Sequence, residues 1–454
     1  MTTFLENAKL IRNPEKLAED YFRAYFKNEA PVYPLNTFQM LRDMGIQFVL
    51  KRFKKLEGIY LPASSEEDMP FVGINSERPI ARQRFTAAHE LCHHLRDADK
   101  HVACPIGRKD EGEVFADKFA AAILMPISEL EKQVKSKNPP ASGYISFDDA
   151  LEVADYFGVS FESCVFRLAY KLHAIDGDIE PDELKKRIAK YKPDKKRQEK
   201  NMHSLRLYEG LVNAYSDILA FQPTEHARLI FQNTYIYNDS RMEGVKTTTE
   251  AASEIVADLR LNMQNSQYCV EENEAYLSIA GHYSMYQDIF ATSVDQECSV
   301  FDMMGLHRKL FSHYPNPEYG GMLRQSNTLV LGAKFETIPF HQIYEELLSV
   351  DDTLKELISQ RNNLTLSEFI EKTIDIHHKL TVIHPFGDGN GRTLRAFLNV
   401  MLVKCHISPI YIKAEEKDEY VTALSLADTK GSYVELYECI LKCLLRSNVD
   451  LNSY

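Results

Sequence analysis

Nowhere in the 454 residues do 18 apolar residues run together, so no membrane-crossing helix is expected. The opening stretch MTTFLENAKLIRNPEKLAEDYF is broken by charge before an apolar run reaches signal-peptide length. Eight cysteines (Cys92, Cys104, Cys164, Cys269, Cys298, Cys405, Cys439, Cys443) include no CxxC pair, which fits reduced thiols better than a disulfide framework. Cys439 and Cys443, one helical turn apart, read as two buried small residues rather than a chelating pair. There is no polybasic arm, and a net charge of −13 argues against a protein that coats nucleic acid. Internal repeats and low-complexity tracts are also missing. These absences predict a cytoplasmic protein with neither membrane nor nucleic acid as a partner. Its length predicts two or three domains.

The clearest break along the chain lies between about 173 and 202, where residues 181–200 hold nine Lys/Arg against four Asp/Glu, the signature of a solvated helix and linker. Before it, 147–172 reads as two helices joined at GVS, with Ser146 and Asp149 as a capping box and Ser160 capping the second. The second helix, FESCVFRLAYKL, offers only Arg167 and Lys171 as cations, so packing is expected there rather than helix-turn-helix reading of DNA. After the break, apolar-periodic stretches at 205–222, 248–264, 340–360, 366–383, 392–405, 418–428 and 433–446 predict a mostly helical region. Strand is expected only in short pieces such as NTLVLGA at 327–333.

In RFTAAHELCHHL, His89 and His93 stand four residues apart on a helical apolar pattern. That spacing points both imidazoles from one face toward a single ion, with Glu90 in reach of a water the ion polarises. Such a water reaches a pKa of about 7, and Glu90 would accept its proton during attack on a peptide carbonyl. Downstream, EGEVFADKFAAAILMP puts Glu113 and Asp117 one turn apart. Glu113 could complete a His2Glu site, and Asp117 could orient a ligand imidazole. Cys104, His101, His94 and Asp97 compete as ligands, although His94 is off the ligand face and a thiolate is less common than a carboxylate in a hydrolytic site.

HELCH, the following ExxxD within VFADKFAAAILMP, and FGVSFESCVFRL together resemble the ImmA/IrrE family of zinc metallopeptidases, over about residues 35–172. The resemblance implies an intracellular protease that cuts a partner such as a transcriptional repressor. It also implies a zincin-like α+β fold, His89, His93 and Glu113 as zinc ligands, and Glu90 as the base.

Residues 384–395, HPFGDGNGRTLR, lie between two helical stretches. A glycine-rich loop opening a helix presents backbone N–H groups and positive potential to phosphate. Asp388 offers a hard oxygen for Mg2+, and Arg392 and Arg395, three apart, can both reach a polyphosphate tail. His384 at the loop entrance can remove a proton from an incoming hydroxyl, and Phe386 is expected to anchor the loop. The GxxxxGK[ST], HRD and DFG motifs are missing, so the usual ATPase and kinase routes lack their parts.

The twelve residues match the HxFx(D/E)GNGRxxR signature and so resemble Fic-domain proteins, with GGMLRQ at 320–325, a flap near 327–333 and YVTALSLAD at 420–428 extending the likeness over about 203–454. The resemblance implies transfer of AMP from ATP to a Ser, Thr or Tyr hydroxyl of a target protein. His384 would be the base, Asp388 the Mg2+ ligand, and Gly389, Asn390 and Gly391 the phosphate cradle. Arg392 and Arg395 would hold the β- and γ-phosphates.

Upstream, IYNDSRMEGVKTTTE at 236–250 is similar to the Fic inhibitory motif (S/T)xxxE(G/N), which implies that Glu243 pairs with Arg395 and restrains ATP. Here Asp239 stands at the Ser/Thr position. In some members the same glutamate helps water remove AMP, and both roles stay open.

The sequence thus predicts an α+β zincin-like metallopeptidase domain over 1–172, a charged linker over 173–202, and a mostly α-helical Fic domain with a small β-hairpin flap over 203–454. The expected function is an autoinhibited adenylyltransferase using ATP and Mg2+, fused to a zinc endopeptidase that cleaves a regulatory partner. A non-catalytic zinc-binding sensor or docking module is the alternative for the N-terminal part. A homodimer is compatible with the sequence.

Overall fold

Phe48 and Leu50 bury on one side of β1 (Gln47–Lys51) while Gln47 and Lys51 stay exposed, the two-residue period of a strand covered on one face. In β2 (Leu56–Leu61) the buried positions are Gly58 and Tyr60, and in β3 (Phe71–Asn75) Val72 through Asn75 are all buried. With β4 (Val102–Pro105) they form a sheet of order β1-β3-β2-β4, β1 parallel to β3 and β2 antiparallel to both β3 and β4. The computed structural model describes residues 2–452 apart from 28, 66, 99, 108–109, 140–142, 176–178, 223, 263–264, 270–272, 292–296 and 330–335. They divide into two compact units, Met1–Ala214 and Tyr215–Tyr454.

In the first unit, β3 leads through Pro79 into helix Ile80–Arg96, which packs on β2 and β3. Helix Glu111–Leu124 packs against it, with Asp110 accepting a hydrogen bond from the Glu113 N–H as N-cap. The expected helix pair appears as Phe147–Phe157 and Phe161–Leu172. Ser146 and Asp149 form the capping box, and Gly158, at φ 61°, closes the first helix in the left-handed conformation that glycine adopts without steric cost. Arg167 is buried and donates to both carboxylate oxygens of Glu15, which also pairs with Lys171.

The stretch read as a solvated helix and linker holds helices Pro181–Tyr191 and Pro193–Glu199. Leu184 and Ile188, one turn apart, bury in the same core as Leu151, Phe157 and Leu168. Two apolar residues at helical spacing give an otherwise charged helix a face to bury.

The second unit is helical. At its centre helix Asn390–Lys404 is buried on all sides and packs against Leu366–Ile383, Glu274–Ala291 and Asp302–Leu310. Helices Lys417–Lys430 and Val434–Leu451 complete this side, and Cys439 and Cys443 are buried in the latter. Helices Glu225–Met242 and Glu274–Ala291 lie outside the periodic stretches read from the sequence. The first buries Gln232, Asn238, Asp239 and Ser240 beside its aromatics, which breaks the apolar period. The flap expected at 327–333 falls largely outside the described residues. No described helix is long and apolar enough to cross a membrane.

Candidate functional site

Because His89 and His93 are four residues apart on helix Ile80–Arg96, their rings share one face, with Nε2 atoms 3.1 Å apart. Glu113, one turn into the neighbouring helix, brings Oε2 to 3.3 Å from His89 Nε2 and Oε1 to 3.6 Å from His93 Nε2. Cys104 of β4 joins them: one donor atom from each of the four lies within 4.8 Å of the others, and all four residues are buried. Of the competing ligands considered from sequence, the structure brings in Cys104. His94 bonds Tyr60 instead, through Nδ1 to Oη at 3.1 Å.

Behind the cluster, Asp117 Oδ1 stands 3.0 Å from His89 Nδ1, and Asp97 Oδ2 stands 3.4 Å from His93 Nδ1. A carboxylate on the far nitrogen fixes each ring with Nε2 toward the cluster. Asp97, weighed from sequence as a ligand, has this supporting place. Glu90 is fully buried, and neither carboxylate oxygen has a hydrogen-bond partner. Burial pushes its carboxyl up, against the pull of His89 and His93. Two convergent imidazoles, a carboxylate and a thiol are donors that zinc accepts, and an orphaned buried carboxylate beside them is what a base needs. The residues fit a divalent metal.

In the second unit, helix Leu366–Ile383 ends at His384, which is left-handed at φ 51°. The Asn390 side chain staples the following loop, accepting from the Phe386 N–H at 2.9 Å and donating to the Phe386 carbonyl at 2.7 Å. Phe386 is buried and stacks on His307, ring centroids 3.9 Å apart. His307 Nδ1 accepts from the Gly321 N–H at 2.7 Å, which leaves Nε2 to donate to the Asp388 carbonyl at 3.0 Å. Burial holds His307 down to about 4, so it serves as a neutral strut. Arg324 donates to the carbonyls of His384, Ser326, Ile383 and Ile338. His307 and Arg324 are the supports that sequence reasoning missed. Arg324 lies in the quoted GGMLRQ, but the two acceptors that tie it to the loop, His384 and Ile383, are about 60 residues away and no local pattern reveals them.

Gly389 caps helix Asn390–Lys404, whose first-turn N–H groups have no intrahelical acceptor. Burial lowers the His384 imidazole below its ordinary value, with nearby Arg324 adding to the effect. That direction favours the unprotonated imidazole, the form able to accept a proton. The Asp388 side chain stands 69% exposed at the loop, 3.4 Å from Arg392 Nη2. An accessible carboxylate beside an anion cradle matches the one-or-two-carboxylate habit of Mg2+.

Arg395 is buried under two acids from helix Glu225–Met242 and its cap. Asp239 Oδ1 accepts from Nε at 2.5 Å, and Glu243 Oε1 accepts from Nη2 at 2.6 Å. Asp239 Oδ2 also faces His282 Nε2 at 2.9 Å. Burial alone would raise the Asp239 carboxyl, but Arg395 and His282 outweigh it and hold it down to about 2. A Cβ on Gly391 would stand 2.9 Å from Arg395 Nη1 and 3.0 Å from Glu243 Oε1, so a larger residue there would press on this pair. The sequence noted Asp239 as a departure but gave it no partner.

Residues 41–169 match the family model of the IrrE N-terminal-like domain, and residues 297–402 match that of the Fic/DOC family. The protein adenylyltransferase fic-1 of Caenorhabditis elegans is 25% identical over 194 residues, 43% of this chain and 36% of that protein. The protein adenylyltransferase Fic of Drosophila melanogaster is 27% identical over 195 residues, 43% and 37% respectively. The chain thus spans little more than a third of the length of the curated relatives it matches. Among solved structures, Fic-1 (aa134–508) from C. elegans aligns with a TM-score of 0.44 and 18% identity over 73% of this chain and 87% of that one. A Fic domain containing signaling protein from Bacteroides thetaiotaomicron aligns with a TM-score of 0.44 and 19% identity, over 54% and 96%.

Proposed function

We propose that this chain, which carries an IrrE N-terminal-like domain and a Fic domain, is a restrained protein adenylyltransferase joined to a zinc-dependent peptidase. The observation that carries the transferase reading is His384 at the mouth of a helix-capping glycine loop with Asp388, followed by Arg392 and Arg395 on the helix that the loop opens. ATP is the proposed donor and a Ser, Thr or Tyr hydroxyl of a target protein the acceptor. His384 takes the hydroxyl proton, the oxygen forms its bond to the α-phosphorus, the bond to the bridging oxygen breaks, and pyrophosphate leaves. First-turn N–H groups of Asn390 and Gly391 and the Arg392 guanidinium hold the phosphates. Asp388 would hold Mg2+, which neutralises phosphate charge when bound.

Glu243 restrains the reaction. Its carboxylate occupies the Arg395 face that the γ-phosphate needs, so the α-phosphate sits out of line with the hydroxyl. Asp239 holds the same guanidinium from behind.

In the N-terminal domain, His89, His93 and Glu113 would hold zinc, whose Lewis acidity activates water and polarises a peptide carbonyl. Glu90 accepts the proton of the attacking water. Asp117 and Asp97 keep both imidazoles aimed. The substrate class proposed is a regulatory partner protein.

The test is incubation of wild type, Glu243→Gly and His384→Ala/Glu243→Gly with Mg2+ and ATP labelled at the α-phosphate, read by gel and intact mass. Strong labelling of Glu243→Gly that vanishes in the double variant is the expected result. Equal labelling of the single and double variants would remove His384 from the chemistry, and equal labelling of wild type and Glu243→Gly would remove the restraint.

A further inference from the structure

We propose that Cys104 is the fourth protein ligand of the metal held by His89, His93 and Glu113, so that a thiolate closes the site at rest; this rests on reading that cluster as a metal site. Two observations carry it. The four donor atoms lie within 4.8 Å of one another. A tetrahedral zinc with bonds of 2.0–2.3 Å sets its donors roughly 3.3–3.8 Å apart, so small rotations of the side chains suffice to enclose an ion.

Strand register gives the thiol its direction. Cys104 sits directly opposite Gly58 in the antiparallel β2–β4 pair, and directly opposed residues project to the same face. A Cβ on Gly58 would collide with the Glu90 carboxylate and with Thr86 of helix Ile80–Arg96. The face Cys104 shares with Gly58 is therefore the one covered by the ligand helix. Its neighbour Ala103 points the other way and is exposed.

Three protein ligands and an open position mark a hydrolytic zinc site, and four protein ligands a closed one. This chain holds the parts of both, and Cys104 decides which applies. On metal uptake the S–metal bond forms as a water leaves the hydrated cation, and the S–H proton passes to buffer. Opening reverses each step.

Cobalt(II) reports the ligand without any need for a peptide substrate. Full-length wild type, Cys104→Ser, Cys92→Ser and His93→Ala would be loaded with Co2+ and read by metal analysis and absorption spectroscopy. The expected result is one Co2+ per chain in wild type, with a thiolate-to-cobalt charge-transfer band in the near ultraviolet and the intense visible bands of a four-coordinate ion. Cys92→Ser keeps that band. Cys104→Ser keeps one Co2+ but loses the charge-transfer band, and its visible bands weaken as water enters. Stoichiometric, His93-dependent Co2+ in wild type without the charge-transfer band overturns the proposal while leaving the His2Glu site intact. Failure of wild type to hold Co2+, or retention unchanged in His93→Ala, overturns both.

Discussion

The two clusters differ in what holds them. The candidate metal cluster is assembled from side chains of two helices and a strand, and each imidazole has a carboxylate behind it. The glycine loop is instead gripped at its backbone groups: the Asn390 side chain closes it onto Phe386, His307 braces the Asp388 carbonyl, and Arg324 braces that of His384. A side-chain assembly tolerates loss of one support at graded cost. A stapled loop keeps its shape when a reacting side chain is removed, so such removals isolate chemistry from fold.

The sharpest break in that comparison is His384→Ala in the Glu243→Gly background. Label transfer should fall on the order of 100- to 10 000-fold with an unchanged melting temperature; a large drop in melting temperature would show that the imidazole supports the loop. Next comes Asp239→Ala, which leaves Arg395 and His282 facing an empty place. Breaking a buried pair from one side costs about 3–5 kcal/mol, read by urea unfolding, and a cost under about 1 kcal/mol would deny the clamp a structural role. Glu243→Gly, at the exposed side of the same guanidinium, should leave stability nearly unchanged while raising transfer about 100-fold, the scale of a 1 Å misplacement.

On the metal side, Asp117→Ala should weaken zinc binding roughly 10- to 100-fold, and Asp97→Ala less, because its contact is longer. Chelator competition measures both, and the reverse ranking would contradict the geometry. The smallest effect is in pH. Burial lowers the His384 pKa, so the imidazole stays unprotonated further into acid. The acid limb of the Glu243→Gly pH–rate profile should then fall below the ordinary histidine value. A limb above that value would assign it to another group.

Local spacing made much of this legible. HELCH works because four residues make one helical turn, and HPFGDGNGRTLR because its parts are contiguous. Glu113 and Asp117 were readable for the same reason. Cys104 was not selected, since its direction depends on the pairing of β4 with Gly58. Asp97 sits one turn from His93 but was weighed as a ligand, because sequence does not say which imidazole nitrogen faces the ion. His307, Arg324 and the partners of Asp239 act across 43 to 156 residues, where no periodicity points. Leu184 and Ile188 lay inside a charge run whose average hid a two-residue apolar stripe.

Asp239 and Glu243 reach Arg395 from successive turns of the same helix end, yet Asp239 alone is tied to His282. On the proposed reading this gives the restraint two release levels. A rotation of the Glu243 side chain frees one edge of the guanidinium and costs little. Displacement of the whole helix end frees both edges and must also part the aspartate from its histidine. The two acids would thus let go of a single arginine at different energetic cost.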